Sequence, residues 1–221
     1  MKKRGIMGQQ AGEIKLALLE AGKKEFLEFG YEGASLRRIA AAAGVTTGAI
    51  YAHFSGKEEL FDEITGEVMD EIMFSFTAVH QKYETIRLPD LDSLKVMMEQ
   101  QMKEYIPDVI NYLYDHYDMV KLILCCNRPD RSEAYLDRLT AVEARSVCEL
   151  GQMLSEAGYT VRKMDEEMIH IVSHSLIRQV KEFIVHGLTR EQALEYTQIL
   201  CMFWYAGWLK VLVVEQMEKI D

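Results

Sequence analysis

The stretch Thr46-Thr47-Gly48-Ala49-Ile50-Tyr51-Ala52 carries hydroxyls, a phenol and a glycine at helical spacing, a mixture that suits recognition of a surface better than catalysis. Thr and Tyr side chains both donate and accept hydrogen bonds, and a glycine between them lets another molecule approach the backbone. With Val45, Ile50 and Phe54 turned inward, Thr47, Gly48 and Tyr51 fall on the outward face of one helix, with Ala52 beside them. Reactive constellations are wanting elsewhere: the chain has no phosphate loop, nucleophile elbow or metal-ligand cluster. No catalytic residue, cofactor or metal is therefore expected. His170 and His174 stand four apart on a helical stretch, a spacing able to hold a metal, but no cysteine lies near them in sequence and no metal-protease pattern follows. Adjacent Cys125 and Cys126 suit small apolar packing better than a redox pair.

The outward face needs a frame. Ile14, Leu18, Ala21 and Phe26 keep helical spacing until Phe29-Gly30-Tyr31-Glu32-Gly33 interrupts it. Ser35 can cap a short second helix with Leu36, Ile39, Ala40 and Ala43 on one face, ended by Gly44. Thr46 can cap a third helix reaching about Phe54, before a break at Ser55-Gly56. Two short helices meeting at Gly44-Val45, with Ala40 permitting close approach, are what a helix-turn-helix requires. A fourth helix begins near Lys57, where Glu58 and Glu59 meet the positive end of its dipole, and runs into the eighties.

Beyond it the spacing predicts breaks at Leu88-Pro89-Asp90 and Asn127-Arg128-Pro129-Asp130, a kink before Pro107, and long helices over about 132–157, 165–186 and 189–217. The chain reads as all-α: an N-terminal three-helix head with a helix-turn-helix over residues 1–56 and a helical domain over 57–221. Charge follows the same division. Residues 1–60 hold nine basic against seven acidic side chains, a balance of +2; the remainder holds sixteen against twenty-eight, or −12, giving the net −10. A mildly basic head on an acidic body fits a nucleic-acid partner for the head alone.

The run Phe29-Gly30-Tyr31, then Ile39-Ala40-Ala41-Ala42-Ala43-Gly44-Val45-Thr46-Thr47-Gly48-Ala49-Ile50-Tyr51-Ala52-His53-Phe54-Ser55-Gly56-Lys57-Glu58-Glu59-Leu60, closely resembles the signature of the tetracycline-repressor (TetR) family. The resemblance covers about the first sixty-five residues. It implies a homodimeric, ligand-responsive transcription regulator, usually a repressor, bound to a pseudo-palindromic double-stranded DNA operator and released by a small-molecule effector. DNA binding by the head over 1–56, and ligand binding and dimerisation by the domain over 57–221, are likewise what the resemblance implies. It further implies major-groove contacts for Thr47, Gly48 and Tyr51, phosphate contacts for Arg37, His53 and Lys57, and a share for Thr46 beside its capping role. Two positions depart from the family pattern: Gly56 takes the usual Ser or Asn cap of the fourth helix, and Arg38 replaces a commonly acidic residue, adding charge that faces phosphate or water. Lys2, Lys3 and Arg4 can form an arm on DNA, although a solvated tail is the commoner behaviour of a terminus.

In the body, Tyr112, His116, Arg128, His170, His174 and Arg178 are the polar candidates for an effector site among aromatic side chains between about residues 91 and 184. The stretch 199–214 is too apolar all round to face water, which places the dimer contact in the last two helices, with Trp208 and Leu212 on it. Lys210 interrupts that stretch and it is short for a membrane span. Four cysteines without Cys-x-x-Cys spacing and no export signal place the chain in the cytoplasm.

Overall fold

The computed structural model describes residues 2–84, 91–100, 103 and 106–213. The order is α1 (Lys2–Gly33), α2 (Leu36–Ala42), α3 (Thr47–Tyr51), α4 (Lys57–Glu84), α5 (Leu91–Gln100), α6 (Ile106–Asp115), α7 (Tyr117–Lys121), a π-helical turn (Leu122–Cys126), α8 (Pro129–Glu156), α9 (Glu166–Val185) and α10 (Arg190–Leu212). The all-α expectation holds among the described residues, whose one β feature is an isolated antiparallel bridge between Val161 and Val213. No described helix is long and apolar enough to cross a membrane. The expected break at Leu88-Pro89-Asp90 lies outside the described residues, as does the chain beyond residue 213.

Two compact units emerge, one of residues 1–71 with 116–132, the other of 72–115 with 133–221. The first takes in α1 to α3 and the start of α4, and a distant segment completes its core. Leu18, Phe26, Ile39, Ile50, Phe54, Leu60 and Phe61 are buried together, and Leu122 of the π turn joins them, fully enclosed. Phe26 and Tyr31 stack at 6.0 Å while Phe61 meets each edge-on at 5.0 and 5.4 Å, arrangements that add to the area they bury. Ion pairs from Lys23 to Asp118 at 3.2 Å and from Arg131 to Asp62 at 2.6 Å tie the same segment down. Gly22 is the tightest approach: a Cβ there would stand 2.9 Å from Cδ1 of Ile64, so α1 and α4 pack at a distance that a larger residue disturbs.

Local chemistry explains the turns. Gly30, with φ of 66° and ψ of 174°, breaks α1 where the sequence marks a stop. At Gly44, φ is 70°, the Gly44 N–H donates to Ala41 O at 3.1 Å and the Val45 N–H to Ala40 O at 2.9 Å. That double bond pattern closes a helix around a left-handed residue and aims the chain into α3. Ser35 and Thr46 occupy the cap positions of α2 and α3, but neither side chain makes a cap hydrogen bond. α3 is shorter than expected: it stops at Tyr51, and the N–H groups of His53 and Phe54 both converge on Ile50 O. The basic residues Lys2, Lys3 and Arg4 belong to α1 and not to an irregular tail.

In the second unit Leu94, Val147, Leu154, Ile169, Trp208 and Leu212 form the core, joined by half-buried Tyr159, Val161 and Met164 of the α8–α9 connection. That connection closes the end of α10: the Arg162 N–H donates to Leu212 O at 2.8 Å and its Nε to Val211 O at 3.1 Å, satisfying terminal carbonyls that the helix leaves open. Asp165 caps α9 by accepting from the Met168 N–H at 2.8 Å. Tyr114 donates to Leu188 O at 3.0 Å, and Arg190 pairs with Asp115 at 2.6 Å, so α6 is fastened to the α9–α10 turn.

Candidate nucleic-acid interface

The first unit fixes α3 from behind. Ile50 and Phe54 are sunk in the core, with exposures of 0 and 2%, and Val45 is half-buried against it. By helical geometry the opposite face must then turn outward, and Thr46, Thr47, Gly48, Tyr51 and Ala52 are all exposed. Tyr51 shows 60% of its surface. The structure therefore brings Thr46, Thr47, Gly48 and Tyr51 together on one open surface, as their spacing predicts. His53 is half-buried just past the helix, and Arg37 is exposed on α2.

Gly48 separates the needs of the fold from those of a partner. Its φ is not in the left-handed region, and an added Cβ would meet nothing nearer than Thr46 Oγ1 at 3.7 Å, an ordinary contact. Nothing among the described residues requires glycine there.

Two cations do work that sequence reading missed. Arg38, expected to face phosphate or water, turns back instead: Nε donates to Glu25 Oε1 at 2.7 Å, Nη2 to Gly33 O at 2.7 Å, and the guanidinium lies 4.3 Å from the centre of the Phe29 ring. Glu25 also accepts the Ser35 N–H at 2.8 Å, taking the bond that a Ser35 cap would leave open. Lys57 Nζ donates to Tyr31 O at 2.6 Å, lies 3.3 Å from Glu32 O and 3.4 Å from Ala34 O, and sits 4.6 Å from the Tyr31 ring centre. An ammonium at the carbonyl end of α1 is favoured by the helix dipole, so much of its hydrogen-bonding capacity is spent within the protein. Burial, with Glu58 nearby, pushes the Tyr31 phenol above its ordinary range and keeps it neutral beneath that ammonium. At the start of α4, where Gly56 offers no cap, the Ser55 hydroxyl and the Ser55 N–H, the latter at 2.6 Å, donate to the Glu59 carboxylate and together hold it below the usual range.

The candidates for an effector site are divided between the two units. His116 and Arg128 fall in the first unit, with Arg128 paired to Asp130 at 2.6 Å. Tyr112, His170, His174 and Arg178 fall in the second. His170 and His174 stack at 5.6 Å between ring centres, and Arg178 donates to His174 and pairs with Glu133. His170 and Arg178 are exposed, so this row lies at a helix surface. Among the described residues no group of three or more metal-ligating side chains comes together.

On α9 and α10 the apolar surface divides in a way the sequence does not foretell. Trp208 and Leu212, expected on a dimer contact, are buried in the protomer's own core. The open positions include Met168, Ile171, Tyr196, Ile199, Met202 and Phe203, the last with 67% of its surface exposed.

A compact helical unit that closes a left-handed glycine turn between two short helices and exposes the second defines the helix-turn-helix class. Residues 18–64 match the model of the bacterial regulatory proteins, tetR family. The chain is 43% identical over 67 residues to the transcriptional repressor BepR of Brucella suis, covering 29% of this chain and 32% of that one. The matched stretch thus spans about a third of the length of the first curated relatives. Over most of the chain the fold is similar to a TetR-family regulator of Mesorhizobium loti, with a TM-score of 0.53 at 18% identity covering 92% of this chain and 98% of that one. It is also similar to NalD of Pseudomonas aeruginosa, the secondary repressor of a multidrug efflux pump, with a TM-score of 0.52 at 19% identity covering 93 and 99%. The similarity to the tetR family of bacterial regulatory proteins is carried by residues 18–64, the segment that holds α2, α3 and their turn.

Proposed function

We propose that the chain is a cytoplasmic transcription regulator that binds a pseudo-palindromic operator as a homodimer and is released from it by a small molecule. The observation that carries the reading is the exposed face of Thr46, Thr47, Gly48 and Tyr51 held out by buried Ile50 and Phe54. On this reading residues 1–56 supply the DNA contacts, with Arg37, His53 and Lys57 toward phosphates, and 57–221 supply the effector site and the dimer. A helix entering the major groove with its partner one turn of DNA away requires two-fold symmetry, and the open row on α9 and α10 is the surface best suited to provide it. Tyr112, His116, Arg128, His170, His174 and Arg178 remain the polar positions to test for effector contact. The name of NalD links a similar fold to control of multidrug efflux, which supports hydrophobic drugs and metabolites as the first compounds to screen.

Footprinting of the DNA around the chain's own gene tests the operator; absence of any salt-sensitive, sequence-specific protection would refute it. A thermal-shift screen followed by operator titration with each hit tests release. Ligand and operator must weaken one another by the same factor; a stoichiometric ligand that leaves operator affinity unchanged would remove the induction mechanism and leave DNA binding standing.

A further inference from the structure

We infer that α3 reads its operator chiefly through the 5-methyl groups of thymine. The inference rests on the DNA-binding reading above and names what that surface recognises. Guanine and adenine are read in the major groove by forked side chains, Arg or Lys on guanine and Asn or Gln on adenine, whereas thymine alone presents a methyl. From Thr46 to Ala52 the exposed face holds no guanidinium, ammonium or carboxamide. The neighbouring cations are largely engaged: Arg38 is bound to Glu25 and Gly33 O, and Lys57 to the carbonyl end of α1. Arg37 is exposed, but it stands on α2 and not on the presented helix.

What α3 does offer is carbon. The γ-methyls of Thr46 and Thr47, the methyl of Ala52 and the open ring of Tyr51 are apolar groups on short or flat side chains. Short side chains reach a base edge only if the backbone comes close, and Gly48 permits that approach without being required by the fold. The absence of forks, the available methyls and a glycine at the centre of the face all favour one base feature. Covering one methyl changes affinity by about fourfold, from the transfer free energy of a CH₂ group.

The test uses the full-length protein and the duplex it protects upstream of its own gene, resynthesised with deoxyuridine for thymidine inside the protected half-sites. Uracil keeps the Watson–Crick edge of thymine and loses only the methyl. Affinity is expected to fall by about fourfold for each contacted methyl removed. Thr47→Ser, which deletes a methyl and keeps the hydroxyl, is expected to weaken binding to the thymine duplex and to cost nothing further on the uracil duplex. Equal affinity for the two duplexes overturns the inference, as does a Thr47→Ser penalty of the same size on both. Loss of affinity on replacing guanine by 7-deazaguanine, with uracil tolerated, overturns it in favour of Arg37 as the base reader. Failure to recover any specific duplex overturns the DNA-binding reading itself, an outcome distinct from specific binding that ignores the methyl.

Discussion

Replacing Arg38 by alanine tests whether the join between α1 and α2 is held by an inward-turned cation. The Glu25 side chain is 9% exposed and accepts from both the Ser35 N–H and Arg38. Hydrogen bonds to charged groups contribute about 1.5–3 kcal/mol each, and breaking a buried ion pair from one side costs about 3–5 kcal/mol. Arg38 is itself 49% exposed, so solvent screens its half of the pair and the low end of the hydrogen-bond range applies rather than the range for a fully buried pair. The lost contact with the Phe29 ring adds about 0.5 kcal/mol at such an exposed site. The expected cost of Arg38→Ala is about 2 kcal/mol, read by urea unfolding at fixed protomer concentration, because association shifts the midpoint. Glu25→Gln should cost less, since the amide keeps its shape and one acceptor, and the double variant should fall short of the sum by about 1 kcal/mol. An Arg38→Ala protein within about 0.5 kcal/mol of the parent, or strict additivity with Glu25→Gln, would refute the clamp and return Arg38 to the solvent.

Gly48→Ala should keep or slightly raise the unfolding midpoint, because alanine favours a helix by about 1 kcal/mol over glycine and its Cβ meets no clash. Operator affinity in a gel-shift titration should nonetheless fall on every sequence; unchanged affinity would exclude close backbone approach. Phe203→Glu removes about 2 kcal/mol of burial from each side of the proposed dimer, so sedimentation should show dissociation roughly a thousandfold easier, whereas persistence of the parent dimer constant would move the interface elsewhere. Thiol labelling at pH 8 followed by mass spectrometry should modify exposed Cys125 and Cys148 first. Cys201, whose thiol is pushed up to about 11 by burial and by Glu143, and half-buried Cys126, raised by burial beside Cys125, should label more slowly. Early labelling of Cys201 would contradict its packing.

The head was legible because its determinants are local. Gly44 between two short apolar faces, Ile50 four residues before Phe54, and carboxylates at the start of α4 are all readable within a turn or two of chain. Its clamps were not. Arg38 meets Glu25 thirteen residues away and Lys57 meets Tyr31 O twenty-six away, and no spacing rule says that an arginine on α2 will turn inward. Leu122 was further out of reach: its burial against Phe26 and Phe61 joins positions far apart in sequence, so its own neighbours show only an apolar run.

The last helix shows why periodicity fails where a helix is apolar on both sides. In α10, Trp208 and Leu212 are one turn apart and buried at 8 and 2% exposure, while Ile199, Met202 and Phe203 form a second stripe left open at 55, 55 and 67%. A helix with a single apolar stripe reveals its buried side in sequence; one with two reveals only that both must be covered. The protomer covers the first with Leu94, Val147, Leu154 and Ile169. The second lies on the same helix as Tyr196, while α9 contributes Met168 and Ile171 to the open apolar surface. Glutamate at Trp208 would thus unfold the protomer, whereas glutamate at Phe203 would separate protomers that remain folded. Circular dichroism and sedimentation on the same two variants distinguish these consequences, and a Phe203→Glu protein that lost its helices would show that the open stripe is needed for folding itself.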